Sequence, residues 1–147
     1  MGLNETLVEG SLIALDTTPL IYFIEQNPNY YPLLRAFFVA LDKRQYEAVT
    51  STLTLTETLV YPIRLGRTDL VQAYKRILLH TPYLTIYGTD SQVAETAAGI
   101  RAEYNFRTPD AIQLATAYVA GAAYFLTNDR ALRRFDKLKV VCIGDLA

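Results

Sequence analysis

Four acidic residues stand where an apolar run gives way to a predicted helix. Asp16 follows Leu12 to Leu15, and Glu57 follows the run ending in Val49-Thr50-Ser51. Asp110 lies in Arg107-Thr108-Pro109-Asp110, and Asp129 ends Tyr124-Phe125-Leu126-Thr127-Asn128-Asp129. In an open α/β sheet, strand-to-helix turns lie at the carboxyl edge, where ligands bind. The four acids are therefore expected to converge on one cleft. Two carboxylates about 5 Å apart at an effective dielectric near 20 repel by roughly 3 kcal/mol. A bound divalent cation relieves that repulsion.

The residue types suit such chemistry. Magnesium and manganese favour oxygen ligands, and magnesium retains several waters. A few carboxylates can hold one ion, or two about 3.5–4 Å apart, with positions left open for substrate. An ion so held lowers the pKa of a bound water and offsets charge on a phosphodiester. The chain has one histidine, His80, and one cysteine, Cys142, too few for a Cys/His zinc site or an internal disulfide. His80 falls at a predicted helix end, where positive charge is favoured. Ser11, Ser51 and Ser91 lack a Gly-x-Ser-x-Gly elbow, and the seven glycines form no Walker or dinucleotide-binding pattern.

The elements that position these acids follow from periodicity. Leu12 to Leu15, Tyr46 to Ser51, Leu84 to Tyr87, Ala123 to Leu126 and Val140 to Ile143 read as short buried strands. Between them lie predicted helices from Thr17 to Glu25, Pro32 to Lys43, Thr54 to near Gly66, Asp69 to Leu79, Asp90 to Tyr104 and Pro109 to Gly121, with a short one from Asp129 to Phe135. Thr54-Leu55-Thr56-Glu57 matches a capping box, which places a helix start at Thr54. Strands alternating with helices or helix pairs imply a mostly parallel sheet covered on both faces. No linker or repeat divides residues 1–147, so one domain is expected.

At 147 residues and 51% hydrophobic, the chain can build a full core. Fourteen basic and 15 acidic side chains give a net charge of −1, so any contact with nucleic acid needs a local basic patch. Arg130, Arg133, Arg134, Lys137 and Lys139 supply one just after Asp129, and Arg64 and Arg67 extend it. Such a patch would hold a polyanion beside the acidic pocket. Tyr30 and Tyr31, between helices, are candidates for an exposed contact. No apolar run spans a bilayer and no secretory signal opens the chain, so a soluble, cytoplasmic protein is expected.

Each acid also has a structural explanation. Asp16 can cap the helix after the first strand, and Glu57 fits the last position of the capping box. Asp110 and Asp129 fall in first turns, where negative charge suits the helix dipole. Glu47, Asp69, Glu95 and Glu103 read as solvated surface. The functional case rests on the combination.

With these motifs in place, the chain resembles the PIN-domain ribonucleases. The matching segments are Leu15-Asp16-Thr17-Thr18-Pro19-Leu20-Ile21-Tyr22, Thr56-Glu57, Arg107-Thr108-Pro109-Asp110-Ala111-Ile112-Gln113-Leu114-Ala115-Thr116-Ala117 and Phe125-Leu126-Thr127-Asn128-Asp129. They occur in the family's order, from Leu12 to Ile143. The resemblance implies a three-layer α/β/α sandwich with a mostly parallel central sheet and an acidic pocket that binds Mg²⁺ or Mn²⁺ and cleaves RNA. It makes Asp16, Glu57, Asp110 and Asp129 the metal-binding acids and Thr127 the hydroxyl that helps hold the pocket or its water. Many relatives carry Asn or Ser where this chain has Thr18. Members of this size resemble the VapC-like toxins of type II toxin–antitoxin pairs, which implies a homodimer and a cognate antitoxin. Two alternatives stand beside the nuclease. One is a catalytically silent PIN-like module that binds RNA or protein. The other is a receiver-like domain, disfavoured because only Asp16 lies at the first strand and Lys139 precedes the last.

Overall fold

The computed structural model describes residues 2–146. After a single helical turn, α1 (Leu3–Thr6), the first strand β1 (Leu12–Leu15) leads into α2 (Thr17–Ile24) and α3 (Tyr31–Asp42). Strand β2 (Glu47–Ser51) is followed by α4 (Thr52–Arg64) and α5 (Thr68–His80), and β3 (Leu84–Tyr87) by α6 (Ser91–Tyr104) and α7 (Thr108–Ala120). Strand β4 (Tyr124–Thr127), a 3₁₀ segment (Arg130–Arg134), β5 (Lys139–Cys142) and a last 3₁₀ turn (Ile143–Asp145) complete the chain.

The five strands form one parallel sheet in the order β3-β2-β1-β4-β5. Alternate side chains point to opposite faces of a strand. Ile13 and Leu15 accordingly join one core and Ala14 the other, while Tyr124 and Leu126 oppose Phe125 in the same way. The first core is aromatic, with Phe37, Phe38 and Tyr46 under α2, α3 and α5. The second combines Phe106, Phe125 and Phe135 with small residues, among them Ala97, Ala111, Ala115 and Ala117 on the sheet side of α6 and α7. Helices thus cover both faces, and the α/β/α sandwich read from the sequence is the observed fold.

Strand order reverses at the centre. From β1 the chain moves outward to β2 and β3, then returns to place β4 on the other side of β1. Ligands in open α/β sheets bind outside the carboxyl ends of the strands at such a switch point. Here it lies between the ends of β1 and β4, stapled by the Asp16 amide donating to the Leu126 carbonyl at 2.9 Å.

Two sequence expectations need adjustment. Helix α4 begins at Thr52, directly after β2, because the Ser51 hydroxyl caps it by accepting from the Leu53 amide at 3.0 Å. Thr54 is buried inside the helix, so no capping box forms there. Tyr30 and Tyr31 lie at the start of α3, half-buried, with one ring face covered: Tyr30 stacks on Tyr22 at 4.8 Å between ring centroids and Tyr31 on Phe23 at 5.8 Å. The α1 turn had no periodic signal, yet Leu3 and Leu7 anchor it in the aromatic core. His80 is exposed in the last turn of α5, and Cys142 is buried in β5, as their sequence contexts indicated.

Candidate active site

Asp16 ends β1 and caps α2, accepting the Thr17 amide on Oδ1 at 2.8 Å. Its other oxygen, Oδ2, accepts the Thr127 hydroxyl at 2.7 Å. Thr127 is the last residue of β4 and fully buried. Its hydroxyl oxygen also accepts the Asp129 amide at 3.0 Å. One side chain thus fixes both Asp16 and the start of the loop that carries Asp129. Asn128, between them, is held by the Gly144 amide at 3.0 Å. A Cβ on Gly144 would stand 2.9 Å from Asn128 Oδ1, so a larger residue would have to displace the Asn128 side chain.

Glu57 reaches the same place from α4. With Ser51 capping the helix, Glu57 has no capping role, and its Oε1 accepts the Thr17 hydroxyl at 2.7 Å. Asp110 lies in the first turn of α7, whose start faces the carboxyl edge because α7 leads into β4. Arg107 Nε stands 3.5 Å from Asp110 Oδ2 and is otherwise almost wholly exposed. Gln113, one turn further along α7 and on the same face, is buried. Its amide nitrogen lies 3.0 Å from Thr54 Oγ1, 3.4 Å from Thr17 Oγ1 and 3.5 Å from Glu57 Oε1.

The acids feel one another. Burial pushes Asp16 up to about 6 against the Thr127 and Thr17 hydrogen bonds, and the charges of Asp110 and Glu57 push it further. Asp110 is also raised, first by burial, then by Asp129 and Glu57, with Arg107 opposing. Asp129 is exposed, and its Oδ1 caps the 3₁₀ segment through the Ala131 amide at 3.0 Å. The helix-capping explanations therefore hold for Asp16 and Asp129, fail for Glu57, and do not remove the mutual repulsion.

All available donors here are carboxylate and hydroxyl oxygens, which fits a hard divalent cation in chemistry. The spacing is that of an open set. Among the described residues, no three Asp, Glu, His or Cys side chains form a group that could hold an ion as they lie.

The basic segment behind Asp129 is largely engaged. Arg130 Nη2 lies 3.1 Å from Asp145 Oδ1, and Arg133 pairs with the other oxygen of Asp145. The Arg134 guanidinium sits 4.6 Å from the centre of the Phe106 ring, and Lys137 pairs with Glu103. Arg67 pairs with Asp69 at the start of α5.

Residues 13–138 match the PIN domain family. The chain belongs to that family. No curated protein sequence matches it significantly. Among solved structures, the PIN domain here resembles VapBC2 from Rickettsia felis bound to a promoter DNA fragment, with a TM-score of 0.72, 18% identity, and 89% of this chain covering 98% of that one. A toxin–antitoxin complex from Klebsiella pneumoniae gives a TM-score of 0.67 and 24% identity over 89% of this chain and 97% of that one. VapC20 of Mycobacterium tuberculosis, described as a sarcin–ricin loop cleaving toxin, gives 0.62 and 16% over 77% and 86%. At these identities the likeness establishes the shared fold.

Sequence motifs led to the acids and to Thr127 but passed over Thr17, Thr54 and Gln113. The signal for Gln113 was its spacing of three from Asp110, which puts both on one helix face. Thr54 was masked by its match to a capping pattern.

Proposed function

We propose that this PIN domain is a metal-dependent endoribonuclease. The observation that carries the proposal is the gathering of carboxylates at the β1/β4 switch point, where half-buried Asp16 feels the charges of Asp110 and Glu57 and, among the described residues, Arg107 alone pairs with one of them. Asp16, Glu57, Asp110 and Asp129 are the proposed ligands of Mg²⁺ or Mn²⁺. A divalent cation held there supplies the Lewis acidity that ionises water and offsets charge on the attacked phosphodiester. The protein's own part is positional. Thr127 orients Asp16 and the Asp129 loop, Thr17 orients Glu57, and burial of Asp16 excludes water from one side.

Arg130, Arg133 and Arg134 carry three positive charges against the one carboxylate of Asp145, and the excess is proposed to contact the RNA backbone. The likeness to VapBC complexes supports a role as the toxin of a cytoplasmic toxin–antitoxin pair, with a cognate antitoxin as partner. A homodimer belongs to the same proposal. The apolar side chains of Val60, Tyr61, Ile63 and Leu65, exposed toward the end of α4, suit a protein contact. No helix among the described residues is long and apolar enough to cross a membrane.

The test is cleavage of RNA by purified protein with Mg²⁺ or Mn²⁺, repeated with EDTA and with Asp110→Asn. Metal-dependent cleavage lost in the variant is expected. Cleavage at the parent rate by Asp110→Asn would overturn the mechanism, and RNA retention without turnover under every metal would leave a binding module.

A further inference from the structure

The hydroxyls and amides behind the acids admit only one arrangement of protons. Thr50 donates its single hydroxyl proton to the Leu15 carbonyl at 2.8 Å. The 2.8 Å contact between Thr50 and Thr54 therefore has Thr54 as its donor. Thr54, its proton spent, can only accept at the 3.0 Å contact from residue 113, so the Gln113 side chain must present nitrogen there, not oxygen. Thr17 likewise spends its proton on Glu57 Oε1 and can only accept from Gln113. The chain of donors thus starts at the Gln113 amide. One branch runs through Thr54 and Thr50 to the backbone of β1, the other through Thr17 to Glu57. All members but Glu57 are buried, and no buried side-chain N or O among the described residues is left without a partner.

We propose that Gln113 is a positioning residue for Glu57. Resting on the assignment of Glu57 as a metal-binding acid, the inference adds how that acid is aimed. The Thr17 hydroxyl bonds Glu57 at Oε1 and the Gln113 amide nitrogen lies 3.5 Å from that same oxygen, which leaves Oε2 as the oxygen offered to a cation. Because Gln113 shares a helix face with Asp110, the same amide also sets Glu57 relative to Asp110 across the gap between α4 and α7. A carboxyl group on an exposed helix position would otherwise sample several rotamers. The network selects one in advance.

The test is Mn²⁺ binding to the full chain, read by electron paramagnetic resonance or calorimetry, beside the melting temperature of each variant without metal. Gln113→Met keeps the length of the side chain and removes the donor. Thr17→Val breaks the link to Glu57, and Thr17→Ser keeps it. Loss of a supporting hydrogen bond to a ligand is expected to weaken Mn²⁺ binding about tenfold in Gln113→Met and Thr17→Val. Thr17→Ser should bind as the parent does. Leu78→Ala, in the core beneath α5, controls for general loosening. Parent-like Mn²⁺ affinity in a folded Gln113→Met, with binding lost in Asp110→Asn, would overturn the inference alone. An equal loss in Leu78→Ala would also overturn it. A parent that binds Mn²⁺ no better than Asp110→Asn would instead overturn the metal assignment on which it rests.

Discussion

Arg130 and Arg133 share the carboxylate of Asp145, while Asp16, Glu57 and Asp110, at the same end of the sheet, have among them one peripheral arginine. Both are clusters of like charge, the basic one on the 3₁₀ segment after β4, the acidic one drawn from the end of β1, from α4 and from the first turn of α7. The basic cluster is partly neutralised by an acid that the last 3₁₀ turn brings back, and it lies in solvent, where exposed pairs contribute about 0–1 kcal/mol. The acidic cluster is partly buried, and its own members raise Asp16 and Asp110. A fold can easily satisfy charge at its surface. Where it leaves carboxylates facing each other in a half-buried crevice, the unbalanced charge points to a ligand.

The sharpest break between the two clusters is expected in cleavage. Asp16→Asn and Asp110→Asn should each lower the rate by more than about 100-fold, beyond the range typical for loss of a group that merely supports a ligand. Asn preserves shape and removes charge, so circular dichroism should be unchanged. Retained cleavage in both variants would mean that the crevice is structural.

Metal should next show itself without any substrate. A ligand that binds only the folded chain stabilises it by about 2.7 kcal/mol at a hundred times its dissociation constant. For a domain of this size that is a rise in melting temperature on the order of 5–10 °C. The parent should show the rise with Mn²⁺ and lose it with EDTA, and Asp110→Asn should show little. An identical rise in the variant would locate the ion elsewhere.

The sequence was most informative where one chemical rule decides a position. Short runs rich in apolar residues located the strands, and Pro109 and Gly121 bounded α7, where Gly121 takes φ 79° to end the helix. The convergence of Asp16 with Asp110 and Glu57 followed from an all-parallel sheet, because the end of β1, the start of α4 after β2 and the start of α7, which leads back into β4, share its carboxyl edge. Local patterns misled where two rules competed. Thr54 to Glu57 satisfies the capping box, but Ser51 lies nearer the end of β2 and starts the helix sooner, which frees Glu57. The partners of Glu57 lie 40 and 56 residues away, and no local period encodes that distance. The Asp145 pairing was invisible for the same reason.

Stability against pH separates the clusters again, with a smaller effect. Asp16 is pushed from its ordinary 3.8 up to about 6, so the folded chain binds its proton more tightly than the unfolded chain does. Stability therefore falls as pH rises through that interval and levels off above it. Asp16→Asn removes the buried charge while keeping an acceptor for the Thr17 amide. In EDTA at pH 7.5 the variant should be more stable than the parent by up to about 3 kcal/mol, with the gain vanishing near pH 4. Thermal melts at the two pH values decide it. A variant less stable than the parent at pH 7.5 would show that the Thr127 bond to Asp16 outweighs its burial.

The solvated basic cluster should respond least. Arg130→Ala removes one of two bonds to Asp145 and leaves Arg133 in place, so stability should change by less than about 1 kcal/mol. Its proposed role is contact with RNA phosphates, which acts on binding before chemistry. KM should rise a few-fold with kcat nearly constant, and raising salt should narrow the gap between variant and parent, since each lost phosphate contact lowers the salt dependence of binding by about one unit of slope. A fall in kcat comparable to that of Asp110→Asn would place Arg130 inside the reacting centre and erase the contrast between the clusters. If neither KM nor the salt dependence moves, Asp145 has fully claimed this guanidinium, and the RNA path must run over another face of the crevice.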